Sequence, residues 1–230
     1  MKTIGLIGGM SWESSAEYYR LINEGVKARL GGLHSAQSLM FSVDFAEIEA
    51  LQMAGDWATA TQQMIAAARR LEGGGADCVL LCTNTMHKMA DAVAAAVDLP
   101  LLHIADATAE AIRAAGLSKI GLLGTRFTME QDFYAGRLRD KFGLEVLIPP
   151  PSDQEMVHGI IYDELCLGVV ENASREVYQR IIADLQAAGA EGVILGCTEI
   201  TLLIKQDHSP LPVFDTTALH AGAAVDFALA

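Results

Sequence analysis

"LEGGGADCVLLCTNT" (residues 71–85) and "LQAAGAEGVILGCTE" (residues 185–199) align without a gap at a constant offset of 114. Leu71 falls on Leu185, Gly75 on Gly189, Ala76 on Ala190, Val79 on Val193 and Leu81 on Leu195. In each copy a helical pattern ends at small residues, and an apolar run without polar alternation follows. That is the pattern of a strand buried on both faces of a parallel sheet. Two further echoes keep the same order: "KTIGLIGGM" (2–10) with "SKIGLLGTR" (118–126), and "LP" at 99–100 and 211–212. Chance yields one such match among aliphatic strands. Three in order indicate duplication of an α/β unit of roughly a hundred residues.

Outward from these stretches, short apolar runs alternate with longer amphipathic ones, the signature of βα units. Strands are expected at 3–8, 37–43, 77–82, 100–104, 119–124, 144–148, 192–196 and 211–214. The clearest helical patterns cover 14–30, 57–71, 129–142 and 174–188, the first opened by a Ser14-x-x-Glu17 capping box. "PPPSD" (149–153) reads as a rigid turn. The expected division is lobe 1 over 1–100, completed by 212–230, and lobe 2 over 101–211.

The register of the repeat decides how the cysteines are read. Cys82 falls opposite Gly196, and Thr83 falls opposite Cys197. On a strand, a shift of one residue reverses the face. Two copies facing each other about a pseudo-twofold would set Thr83 against Cys197 across a cleft and turn Cys82 into its own unit. Cys82, Cys78 and Cys166 therefore read as small buried hydrophobes. Cys197 stands at the carboxyl end of a buried strand, where open α/β sheets bind ligands. It precedes "TEITLLIK", read as a helix whose first amides and dipole would favour a thiolate. "GGMS" (8–11), "TNT" (83–85), "GTRFT" (124–128) and "CTE" (197–199) all follow strands. Their amides and hydroxyls suit a carboxylate. His87 and His103 lie near enough in sequence to approach these loops, with a capping or core role the simpler reading.

Composition narrows the classes. A net charge of −13 argues against a nucleic-acid partner and against an anionic membrane surface. No stretch reaches the ~20 apolar residues of a membrane span, and the N-terminal apolar run is too short for a signal peptide. Four cysteines without CxxC spacing suit a reducing compartment, so a soluble, cytoplasmic protein is expected. "GLIGGM" lacks the dinucleotide fingerprint, and six scattered histidines form no metal pattern. No cofactor and no metal are expected.

"GLIGGMSWES", "TNTMH", "GTRFTM" and "GCTEI" together resemble the aspartate/glutamate racemase family, the pyridoxal-independent amino-acid racemases, and the resemblance covers the whole chain. It implies an α/β fold of two pseudo-twofold-related αβα lobes with parallel sheets, the site in the cleft between them, and usually a homodimer. That family carries "CNT" in one lobe and "GCT" in the other, with the two cysteines flanking the substrate Cα. Asn84 and Thr85 match the end of the first motif, so Thr83 stands where its cysteine would be. The resemblance thus implies Cys197 and Thr83 as the catalytic pair. Cys197 would remove the α-proton of L-aspartate or L-glutamate, and Thr83, or a water on it, would return one, with L-to-D turnover the faster direction. A threonine hydroxyl is a poor general base, yet it can donate or relay a proton. Implied substrate-binding residues are Met10, Ser11, Asn84, Thr85, Thr125, Thr198 and Glu199, with Gln52 where aspartate-preferring relatives often present an arginine. Cys166 lies near where some relatives carry a lysine, and losing two cations would weaken recognition of a second carboxylate. Two other readings compete: a single-cysteine decarboxylase of malonate-type substrates in the same superfamily, and a non-catalytic protein that binds small carboxylates.

Overall fold

The "IGLIG" and "IGLLG" echoes form the central strands of two separate parallel sheets in the computed structural model, which describes residues 1–230. One unit comprises Met1–Ile104 with His220–Ala230, and the other comprises Ala105–Leu219. The first contains β1 (Ile4–Gly8), α1 (Trp12–Leu30), β2 (Ser38–Ser42), α2 (Phe45–Ala54), α3 (Trp57–Gly73), β3 (Cys78–Leu81), a 3₁₀ turn (Thr85–Met89) and α4 (Ala90–Ala94). Next come α5 (Ile104–Ala114), β4 (Lys119–Gly124), α6 (Arg126–Glu130), α7 (Asp132–Phe142), β5 (Glu145–Leu147), α8 (Pro151–Asp163) and α9 (Asn172–Ala187). The chain ends with β6 (Gly192–Gly196), α10 (Ile200–Leu203), β7 (Val213–Asp215) and α11 (Thr216–Leu229).

The sheets run β2-β1-β3 and β5-β4-β6-β7, all parallel. Their registers match: Ile7 pairs with Leu81 in the first, and Leu123 pairs with Leu195 in the second. Past these pairs, the Cys82 amide donates to the Ile7 carbonyl (3.0 Å), and Gly124 pairs with Gly196. Cys82 and Gly196 are therefore equivalent in the ladders, and so are the next residues, Thr83 and Cys197.

Side-chain parity on the strands sorts the core. Ile4, Leu6, Cys78, Leu80 and Cys82 pack on one face of the first sheet with Tyr18 and Ile22 of α1. Ile7, Val79 and Leu81 pack on the other with Ile48 and Met64. In the second sheet Leu123, Val193 and Leu195 share a core with Tyr178, Ile181 and Ile182 of α9, and Cys197 packs against its margin. At ~1.5–3 kcal/mol for each buried aliphatic side chain, this two-sided burial holds both strand ends in place.

Several sequence expectations are corrected. The strand expected at 100–104 is a single bridge between Val79 and Leu101, because α5 already starts at Ile104. The second copy has room for β7 at the equivalent place: Val193 N–H donates to Pro212 O as Val79 N–H does to Pro100 O. The division expected at 100/101 and 211/212 differs from the observed 104/105 and 219/220. β7 pairs with β6 and so keeps 213–215 in the second unit, and both boundaries fall at or within a helix, α5 and α11. Ser11, not Ser14, caps α1, its side chain accepting from Ser14 N–H (3.3 Å). The 129–142 pattern is two helices, since Gln131 is extended between them. Pro151 opens α8, a place that suits a residue lacking an N–H.

Candidate functional site

Each unit gathers polar residues at the carboxyl ends of its strands. In the first, β1 runs into Gly9, whose φ of +92° belongs to the left-handed region. A Cβ there would lie 2.2 Å from the Val43 carbonyl oxygen, so no side chain fits. The Met10–Ser11 peptide is cis. Three serines then tie this turn down. Gly9 N–H donates to Ser15 Oγ (2.7 Å), Ser15 Oγ donates to the Ser11 carbonyl (2.9 Å), and Ser14 Oγ donates to the Cys82 carbonyl (3.1 Å). The last bond fastens α1 to the end of β3, beside Thr83.

Thr83 is half-buried, while Asn84, Thr85, Met10 and Ser11 are buried. Gln52, from α2, is brought to the same turn: its Nε2 donates to the Met86 sulfur at 3.2 Å. Sulfur is a weak acceptor, so this bond is a weak one. Behind the turn lies a cluster of rings. The His87 ring sits 4.5 Å from that of His103 and 5.7 Å from that of His220. His220 Nδ1 accepts from the Tyr18 hydroxyl (2.8 Å), and its Nε2–H donates to the Leu102 carbonyl (2.7 Å). Burial pushes the His220 imidazole down to about 4.

In the second unit, β4 is followed by Thr125, which caps α6 by accepting from Thr128 N–H (3.4 Å). β6 ends at Gly196, where a Cβ would lie 2.9 Å from the Leu123 carbonyl oxygen. Glycine lets the two strands close up just before Cys197. Cys197 is half-buried, and its thiol donates to Glu199 Oε2 at 2.9 Å. Thr198 Oγ1 accepts from Thr217 Oγ1 (3.1 Å), and Thr216 Oγ1 donates to the Leu195 carbonyl (2.9 Å), so the start of α11 fixes the strand end.

The thiolate expected at Cys197 is not favoured here. Burial first, then the Glu199 carboxylate, raise this thiol well above its ordinary value. The helix expected to offset this, α10, is a single turn starting at Ile200, and the charge of Glu199 is closer. Cys82 is wholly buried among Ile4, Leu6 and Tyr18, and burial raises its thiol far above the usual range. Cys78 is pushed up to about 11 for the same reason. Cys166 is half-buried against the same core as Cys197.

The ladders thus put Met10, Ser11, Gln52, Thr83, Asn84 and Thr85 together in one unit, and Thr125, Cys197, Thr198 and Glu199 at adjacent strand ends of the other. Sequence reasoning missed the anchoring hydroxyls of Ser14, Ser15 and Thr217, for which no spacing gave a signal. It gave His87 a generic role, although Thr83 and His87 are four residues apart in "TNTMH". No group of three His, Cys, Asp or Glu side chains is arranged to hold a metal ion, and no helix is long and apolar enough to cross a membrane.

The sequence profile of the Asp/Glu/hydantoin racemase family matches residues 7–224. This chain belongs to the Asp/Glu/hydantoin racemase family. A solved structure of an Asp/Glu racemase candidate from Yersinia pestis is 59% identical to this family member, covers all of both chains and superposes with a TM-score of 0.94. An aspartate racemase homologue from Pyrococcus horikoshii is 36% identical over the whole of both chains, with a TM-score of 0.87. The broad-specificity amino-acid racemase RacX of Bacillus subtilis is 26% identical over 73% of this chain and 71% of its own. Matches to some glutamate racemases cover only 44% of those proteins. The racemase family and its two-unit, parallel-sheet α/β fold are thereby fixed.

Proposed function

We propose that this racemase-family protein interconverts the enantiomers of an acidic amino acid, aspartate or glutamate, without pyridoxal or metal. The observation that carries the reading is the Cys197 thiol donating to Glu199 Oε2 at 2.9 Å beyond the end of β6. A thiol held up by burial and by a neighbouring carboxylate needs an acceptor for its proton, and Glu199 is the group within hydrogen-bond reach to take it during turnover. Glu199 takes the proton from Cys197, and the thiolate takes the α-proton of the L-substrate. The electron pair left at Cα delocalises into the substrate carboxylate. Thr83, or a water on it, delivers a proton to the opposite face and gives the D-enantiomer, after which solvent returns a proton to Thr83 and takes the one on Glu199. Met10, Ser11, Asn84, Thr85, Thr125 and Thr198 supply amides and hydroxyls for the substrate carboxylates, donors that suit an anion.

Thiol on one side and hydroxyl on the other make the two directions unequal in maximal rate. Equilibrium still fixes the ratio of kcat/KM values, so the D-form must turn over as well. By the resemblance, Gln52 and Cys166 stand where relatives present cations to a second carboxylate, a loss that supports only modest affinity for the acidic side chain. The protein works as a homodimer in the cytoplasm, a setting that suits its four free cysteines.

Proton NMR in D₂O, without cofactor, on L- and D-aspartate and L- and D-glutamate separately, tests the reading. Loss of the Cα proton is expected from all active substrates, faster from the L-forms. A single working thiol also favours a second chemistry, decarboxylation of a malonate-type substrate. Release of carbon dioxide from such a compound, with no Cα exchange in the four amino acids, would replace the racemase assignment.

A further inference from the structure

We infer that His87 is a positioning residue for the inversion step: as the neutral Nδ1–H tautomer it clamps the Thr83 peptide to the start of α5. The inference rests on the racemase reading above, in which Thr83 serves the face opposite Cys197. Cys82 is the last residue of this strand to bond the sheet, through its amide to the Ile7 carbonyl. Thr83 follows it, and its carbonyl lies 2.7 Å from His87 Nδ1. The other ring nitrogen, Nε2, lies 3.2 Å from the amide nitrogen of Ile104, the first residue of α5.

These two contacts fix the proton. A backbone amide only donates and a carbonyl only accepts, so Nε2 carries no hydrogen and Nδ1 carries one. A second proton would turn Nε2 into a donor facing a donor and break the contact with Ile104. The ring is also held among other rings. His87 is buried, with the His103 ring at 4.5 Å and the His220 ring at 5.7 Å. His220 has its own neutral arrangement, accepting from Tyr18 and donating to Leu102. The rings packed against His87 are thus two more imidazoles.

The clamp matters because the Thr83 hydroxyl has to meet a short-lived carbanion. Its direction is set by rotation about Cα–Cβ and by the backbone that carries Cα. Ser14 Oγ holds the carbonyl before Thr83, and His87 holds the carbonyl after its Cα. Release of the second bond frees the Thr83–Asn84 peptide and misdirects the hydroxyl. Cys197 and Glu199, in the other unit, keep their own hydrogen bond, so removal of the α-proton from an L-substrate continues while delivery to the other face fails.

Two substitutions separate this role from packing. In His87→Asn the amide nitrogen falls near the place of Nδ1 and donates to Thr83, while the Ile104 contact is lost. In His87→Gln the amide oxygen falls near the place of Nε2 and accepts from Ile104, while the Thr83 contact is lost. Each variant forfeits one hydrogen bond, so their melting temperatures should be similar. The measurement is the ratio of D-enantiomer formed to Cα–H lost, on L-aspartate and L-glutamate in D₂O. The expected ratio for His87→Gln is at least tenfold below that for His87→Asn, with the Cα exchange rate falling much less. Equal ratios in the two variants, or a ratio that follows melting temperature, overturn the inference while wild-type inversion leaves the racemase reading standing. Wild-type protein that neither exchanges nor inverts either substrate overturns the racemase reading, and this inference with it.

Discussion

At the scale of single residues, the same side chain at positions 82 and 197 meets two different environments. The Cys82 side chain is buried in an apolar cluster, so Cys82→Ala removes one buried sulfur and should cost ~1 kcal/mol, as other losses of a single buried group do. Turnover should change little. Cys197→Ala removes the proposed base and should lower L-substrate turnover by ~10²–10⁴-fold, the usual worth of a positioned acid–base group. Urea unfolding and Cα-exchange assays on both variants check this, and exchanged outcomes would place the reactive thiol one residue out of register. His220 gives a pH signature of its own. Its folded imidazole titrates at about 4, below the ordinary value near 6.5. Above pH 6.5 neither folded nor unfolded chain protonates it, and its contribution to stability is complete. As pH falls from 6.5 to 4 only the unfolded chain binds the proton, so stability drops, by about 2 kcal/mol at pH 5, and levels off below 4. Urea midpoints at pH 7.5 and 5 measure the drop, and His220→Asn should lose most of it.

At the scale of elements, the turn between β1 and α1 is the most demanding local structure. Gly9 combines a positive φ with a carbonyl oxygen where a Cβ would go. Gly9→Ala must either displace the chain at Val43, just past β2, or abandon the turn, and a loss of at least ~3 kcal/mol is expected, adding backbone strain to overpacking. Thermal unfolding measures it, and a melting temperature within a few degrees of wild type would show that the turn adapts. The strands themselves were legible because runs such as "CVLL" and "GVILG" are buried on both faces and read as apolar without alternation. Leu101 was not: "PLLHI" has strand composition, but the chain must turn into α5 two residues after Leu102. Helix ends were harder still. Ser11 and Ser14 both fit a cap by composition, and the choice falls to Ser11 because Ser14 is taken by the Cys82 carbonyl, a contact 68 residues away in sequence. The one-turn α10 was read as a longer helix because "TEITLLIK" is apolar and β-branched, which suits either a short helix or a strand. With that helix shortened, the charge balance at Cys197 passes from the backbone to Glu199.

At the scale of the molecule, duplication explains both what the sequence made visible and what it left unresolved. The offset of 114 residues carried the register of Thr83 and Cys197 because each unit rebuilds one ladder from its own strands. Unit boundaries were less legible, since α5 and α11 contain or adjoin them and amphipathic periodicity does not change where a helix passes from one unit to the next. The anchoring hydrogen bonds differ between the copies: a histidine serves Thr83, and a carboxylate serves Cys197. That asymmetry predicts what happens when the two strand ends are made alike. Thr83→Cys places a thiol at the equivalent position of the first ladder, behind it the carbonyl that His87 already holds. A thiol, with an ordinary pKa near 8.5, is a far better base than a hydroxyl at neutral pH. D-to-L turnover should therefore rise by about 10-fold or more, drawing on the general-base range of 10²–10⁴. Because Thr85 stands where the repeat places Glu199, the new thiol has no carboxylate two residues on, and the gain should be largest above pH 8, where the free thiol ionises unaided. Initial rates from D-aspartate and D-glutamate between pH 7 and 9.5 decide the matter. A rise with pH, absent in the Thr83→Cys, Cys197→Ala double variant, would show both positions acting on one Cα; no rise at any pH would mean that position 83 does not reach the substrate.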